Sequence, residues 1–154
     1  MKDLLVANQT PWFDVDSGDA HAGLVRLVKR SDDPKKANEY RINVNKNHDL
    51  PTQVCTVAHE LGHIYLGHLG SDEKRRIKDR RSLASDQIEL EAESVAYLLC
   101  KRTGIAPRSE PYLSAFVEQD RPVDRIDIHA VMIATGAVET VLELNRRAFK
   151  STVV

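Results

Sequence analysis

The chain reads as a small α+β domain. Two stretches in its first third alternate at strand period, later segments repeat apolar residues at helical period, and 154 residues can bury about two-thirds of the unfolded surface. A single domain over residues 1–154 is expected, with a short antiparallel sheet packed beside helices. Its composition, 42% hydrophobic and 29% charged, is that of a soluble globular protein.

Residues 1–20 show no clear period; Trp12 and Phe13 are expected to anchor them, and Asp14 to Asp19 to form a loop. Gly23 to Lys29 and Tyr40 to Val44 alternate as strands do, and the polar stretch from Ser31 to Asn38, with Pro34, turns the chain between them. Pro51 and Thr52 suit a helix start. Val54, Val57, Ala58, Leu61 and Ile64 then recur at helical spacing to about residue 67, where Gly67 and Gly70 offer a stop. After a basic connector, a second helix is expected over residues 86–102, ending near Gly104. Pro107 to Pro111 breaks the chain before a short helix at about 112–118. A final helical stretch, 122–149, carries Gly136 in its middle and is either kinked or divided.

The first helix holds the most restrictive five residues, His59-Glu60-Leu61-Gly62-His63. Two histidines at i and i+4 share one helical face, so both imidazoles can bind one Zn²⁺. Glu60 then stands close to the metal without ligating it. That is the place of a general base acting on a water whose pKa the metal lowers to about 7. A chance match is the plain alternative, but ionisable groups on a largely apolar helix cost free energy unless something pairs with them.

A catalytic zinc site needs a third protein ligand and one open position. His68 has the wrong spacing for that ligand and is read as a polar helix-end or substrate-side group. The second helix offers Glu89 and Glu93, one turn apart beside the small Ala96, on the flank of a core stripe made by Ile88, Ala92, Val95 and Leu99. Glu91 points about 160° away from Glu89. Glu89 could instead close a capping box with Asp86 as N-cap, and Glu93 could be a solvated charge; spacing alone leaves both open.

His-Glu-Leu-Gly-His, followed about 26 residues later by Glu89-x-x-Ala92-x-x-x-Ala96-x-x-Leu99, resembles the ImmA/IrrE group of zinc metallopeptidases. Residues 92–100 together with Tyr112-x-x-x-Phe116 also resemble the peptidase domain of ArdC antirestriction proteins. The likeness covers roughly residues 23–118. It implies a small gluzincin-like fold, zinc as cofactor, and Glu89 as the third ligand. Glu93 stands where that group commonly has Asn. The resemblance also implies that the substrate is a separate protein, a helix-turn-helix repressor encoded nearby, whose cleavage derepresses a stress, mobile-element or anti-phage operon.

The expected mechanism has zinc on His59, His63 and Glu89 with Glu60 as base. Tyr40, Tyr65, Tyr112, His68 and His129 are the candidates to stabilise the oxyanion. Cys55, one turn before His59, could ligate zinc and hold the site latent, as could Cys100 after a rearrangement; the plain reading is two small buried hydrophobes. Both cysteines lie in predicted helices, which suits reduced thiols. No apolar run approaches the roughly 20 residues that span a bilayer, and the start of the chain lacks a secretion signal, so a cytoplasmic location is expected.

A net charge of −1 argues against a general nucleic-acid binder. Lys74 to Arg81 nevertheless carries six positive charges in eight residues. This is read as a solvated loop or helix face, with DNA contact by an antirestriction-type factor as a rival and a non-catalytic, zinc-stapled module that sequesters a repressor as another.

Overall fold

The computed structural model describes residues 1–18, 21–106 and 126–144. In chain order their elements are α1 (Lys2–Ala7), β1 (Trp12–Val15), β2 (Gly23–Lys29), β3 (Glu39–Asn45), α2 (Leu50–Tyr65), α3 (Ser85–Thr103) and α4 (Ile128–Val141). The class is α+β, as the patterning predicts, and the expected hairpin is β2 with β3, antiparallel with Val25 opposite Ile42.

The sheet itself corrects one expectation. It has three strands in the order β1-β3-β2, and β1 runs parallel to β3 with Trp12 opposite Ile42, so it is mixed and not antiparallel. Asp14 and Val15 therefore belong to a strand and not to a loop. Four residues with one buried side chain are too few to display a period, and parallel pairing joins distant segments. The short α1 escaped notice for the same reason, since only Leu5 of its six residues is buried. Trp12 does anchor the segment, whereas Phe13 lies exposed under the guanidinium of Arg41.

Tyr40, Ile42 and Val44 of β3 alternate inward and meet the expected stripe of α2, where Val57, Ala58, Leu61 and Ile64 are fully buried. Asp49 caps α2 by accepting a hydrogen bond from the Thr52 amide. The expected core residues Ala92, Val95 and Leu99 of α3 are buried against it, while Ile88 is only half-buried. Gly62 is the reason the two helices come close: a Cβ there would stand 3.3 Å from the Ala92 backbone and from Val95. Gly104 ends α3 in the left-handed conformation, and α4 runs through Gly136 as one helix. Residues 107–125, including the expected short helix with Tyr112, and residues 145–154 lie outside the described residues.

Between α2 and α3 the chain folds back on itself. Gly67 has φ +77°, and a Cβ at that position would collide with the Lys78 carbonyl oxygen. The basic segment lies in this connection and is a loop, but two of its six cations turn inward. Arg75 pairs with the buried Asp72 and donates to the Asn38 carbonyl; Arg80 reaches Glu91 of α3. Lys74, Arg76, Lys78 and Arg81 remain exposed. No helix among the described residues is long and apolar enough to cross a membrane.

Candidate metal centre

One helical turn of α2 sets His59 and His63 side by side with their Nε2 atoms 3.1 Å apart. From α3, Glu89 turns its carboxylate to both: Oε2 is 3.4 Å from Nε2 of His59 and Oε1 is 3.7 Å from Nε2 of His63. The three donor atoms lie within 4.8 Å of one another. With zinc–nitrogen and zinc–oxygen distances of about 2.0–2.2 Å, tetrahedral coordination spaces neighbouring donors by roughly 3.4 Å. The set therefore has the donor types and spacing that a zinc ion fits.

The geometry separates the two glutamates of α3. Glu93 does not face the shared point; its Oε2 lies 2.9 Å from Nδ1 of His59, on the far side of that ring. The capping box is absent as well. Ala84 is the N-cap of α3, and the Asp86 carboxylate accepts from the neighbouring Gln87 amide. His68 is drawn inward, with Nδ1 3.0 Å from Nδ1 of His63 and Nε2 3.2 Å from Glu91. Glu91, set aside as pointing away from the site, is fully buried. Helical spacing puts it on another face, and only the folded-back loop brings His68 and Arg80 to it.

The charges fit this crowding. Burial opposes protonation of His59, but Glu89, Glu93 and Glu60 outweigh it and raise its pKa to about 10. His63, buried beside that cation, is lowered to about 3. Glu60 is raised by burial, although His59 and a hydrogen bond from the Val25 amide pull the other way. Gly23 lets β2 approach that closely, since a Cβ there would sit 2.4 Å from the Thr56 methyl group.

His59 and Glu60 lie where two clefts meet. One, of about 370 Å³, is lined by Ala22, Thr52, Cys55, Thr56 and Ala96, with His48 also on its wall; the other, of about 340 Å³, is lined by Leu24, Val25, His63, His68 and Glu89. Residues 19–115 match the peptidase M78 family model, described as the IrrE N-terminal-like domain. The chain belongs to this family. Neither the comparison with curated proteins nor that with solved structures gave a match.

Membership in the IrrE-like family makes this a metallopeptidase-type domain, for which a protein is the substrate class. The match bears out the resemblance read from the two helices, with nearly the expected span. Of the oxyanion candidates, Tyr40 is buried and Tyr65 half-buried beside the Arg75 cluster, His68 is engaged with His63 and Glu91, and His129 is exposed on α4. Tyr112 lies outside the described residues. The Sγ atoms of Cys55 and Cys100 face each other at 2.6 Å as reduced thiols. That contact, together with burial, pushes the Cys100 thiol upward and away from the thiolate that ligation needs.

Proposed function

We propose that this IrrE-like domain, acting as one unit over residues 1–154, is a zinc-dependent endopeptidase of the cytoplasm. It would cleave a helix-turn-helix repressor encoded nearby and thereby derepress a stress, mobile-element or anti-phage operon. The observation that carries the enzymatic part is the convergence of His59, His63 and Glu89 beside Glu60, with a cleft on either side of His59 and Glu60 among the described residues. An exopeptidase closes one end of such a groove; an endopeptidase leaves room for chain in both directions. β2, an outer strand of the sheet, borders the groove with Leu24 and Val25, and an extended peptide can align along such an edge.

In this reading His59, His63 and Glu89 hold the zinc. When bound, zinc supplies a Lewis acid that polarises the scissile carbonyl and lowers the pKa of water to about 7. Glu60 takes the proton of the attacking water and returns it to the leaving amine. Its burial suits that task, because a carboxylate of raised pKa is the stronger base, and the Val25 amide holds it in place. Glu93 orients His59 through Nδ1.

The test is intact-mass analysis of the neighbouring-gene helix-turn-helix protein after incubation with wild type, Glu60→Gln or chelator-treated protein. Two new fragments with wild type alone are expected, and Glu60→Gln should keep zinc while cutting about 10²- to 10⁴-fold more slowly. Undiminished cleavage by Glu60→Gln would refute the mechanism. A zinc-loaded wild type that binds the repressor without cutting it would refute the peptidase assignment.

A further inference from the structure

We propose that His68 and Glu91 are positioning residues forming a buried relay that keeps the proton of His63 on Nδ1 and so leaves its Nε2 bare for the metal. The inference rests on reading His63 as a ligand, and it adds that the loop after α2, as well as the helix, sets the metal affinity.

The polarity of the relay follows from its far end. Glu91 is surrounded by donors: Arg80 reaches Oε2 at 2.8 Å and Oε1 at 2.9 Å, the Gln87 amide reaches Oε1 at 3.1 Å, and the Asp127 backbone amide reaches Oε1 at 3.2 Å. A carboxylate held by that many N–H groups, one of them a guanidinium, is ionised and accepts only. The contact with His68 at 3.2 Å therefore requires His68 to donate from Nε2. We take His68 as a singly protonated ring, which accepts at Nδ1 when it donates from Nε2, since a second hydrogen on Nδ1 would force the hydrogen of His63 onto the Nε2 that faces the donors. The 3.0 Å contact between the two Nδ1 atoms then requires the hydrogen on His63, and its Nε2 carries the lone pair that faces His59 and Glu89.

The surroundings hold this order in place. The His68 side chain is 2% exposed and Glu91 is fully enclosed, so water does not compete at either link. The backbone amide of His68 donates to the His63 carbonyl, and the Arg80 amide donates to the Gly67 carbonyl, which fixes the start and end of the loop against the last turn of α2. Metal-ligating histidines usually give their second N–H to a carboxylate, a backbone carbonyl or water. Here an imidazole stands between ligand and carboxylate, which carries the anchoring charge one residue further from the metal.

The experiment measures zinc affinity by competition with a chromophoric chelator for wild type, His68→Phe, His68→Asn and His63→Ala. Long-range ¹H–¹⁵N spectra of the zinc-loaded wild type accompany it. Removing both ring nitrogens in His68→Phe should weaken zinc binding about 10- to 100-fold, and His68→Asn, whose Oδ1 replaces the accepting Nδ1, should recover most of that loss. The spectra should place hydrogen on Nδ1 of His63 and Nε2 of His68. A simple packing role for His68 would not produce the Asn rescue or this tautomer pair.

Wild-type affinity in His68→Phe, with weakened binding in His63→Ala, overturns the relay alone. Unchanged binding in both overturns the ligand assignment and the relay with it. Hydrogen found on Nδ1 of His68 overturns the proposed polarity, and the wild-type spectra decide this even where a variant does not fold.

Discussion

His59 and His63 are chemically alike and one turn apart, yet the protein supports them in different ways. His59 takes its second contact from Glu93, a carboxylate one turn along α3 from Glu89. His63 takes its contact from His68 and, through it, from Glu91 and Arg80, a buried chain assembled from the loop after α2 and the interior face of α3. One half of the site is thus built by two regular helices. The other depends on a loop whose contacts join the end of α2 to the interior face of α3. Histidine pairs that look symmetric in a motif can therefore be unequal in what holds them.

The largest test of that contrast is a pair of truncations. Glu91→Leu removes the shared partner of the buried His68 and the half-buried Arg80 and should cost about 3–5 kcal/mol of unfolding free energy, whereas Glu93→Leu removes a charge-assisted hydrogen bond at the cleft wall and should cost about 1–2 kcal/mol. Urea denaturation of the two variants compares them, and equal losses would erase the proposed inequality.

Acid titration sharpens the same point. Burial alone would raise the pKa of Glu91, but His68, Arg80, the Asp127 amide and Gln87 together lower it to about 2, from an ordinary 4.5. A lowered carboxylate stabilises the fold fully above the unfolded value and loses that contribution as pH falls through the folded one. Roughly 3 kcal/mol should therefore disappear between about pH 4.5 and pH 2, and Glu91→Gln should flatten the stability curve in that window. An unflattened curve would assign the acid sensitivity to other carboxylates.

The packing under both halves is tested by Gly62→Val, which intrudes on Ala92 and Val95 where even a Cβ sits at 3.3 Å. Overpacking there should cost about 1–3 kcal/mol and weaken zinc binding by shifting Glu89 from the histidines. The smallest effect is expected outside the relay. Lys74→Ala and Lys78→Ala, on the exposed side of the same loop, should leave stability within about 0.5 kcal/mol and zinc affinity unchanged. A marked change would show that the exposed cations share the work of Arg75 and Arg80.

Much of this was legible before the fold was known. The spacing of His59 and His63, the apolar stripe of α2, the hairpin of β2 and β3 and the glycine stop of α3 all follow from local periodicity, which a chain carries in its own order of residues. Glu89 and Glu93 were legible as a pair but not as individuals, because both lie on one flank of α3 and differ by one turn. Their roles part only when α2 is docked through Gly62 and Ala92.

His68, Glu91 and Arg80 were illegible in their joint role for a physical reason. A buried ionisable group is tolerated only with partners, and these partners come from a helix end, a loop and the start of another helix, which no periodicity links. The parallel pairing of β1 escaped for the same cause, being four residues long and joined to a strand far along the chain. The sequence by itself determined the histidine-bearing helix, the acidic helix that faces it and the α+β class, since each depends on repeats of two or three to four residues. Only the tertiary structure decided which glutamate faces the donors and which supports them, because burial and charge pairing depend on distances that sequence order does not contain.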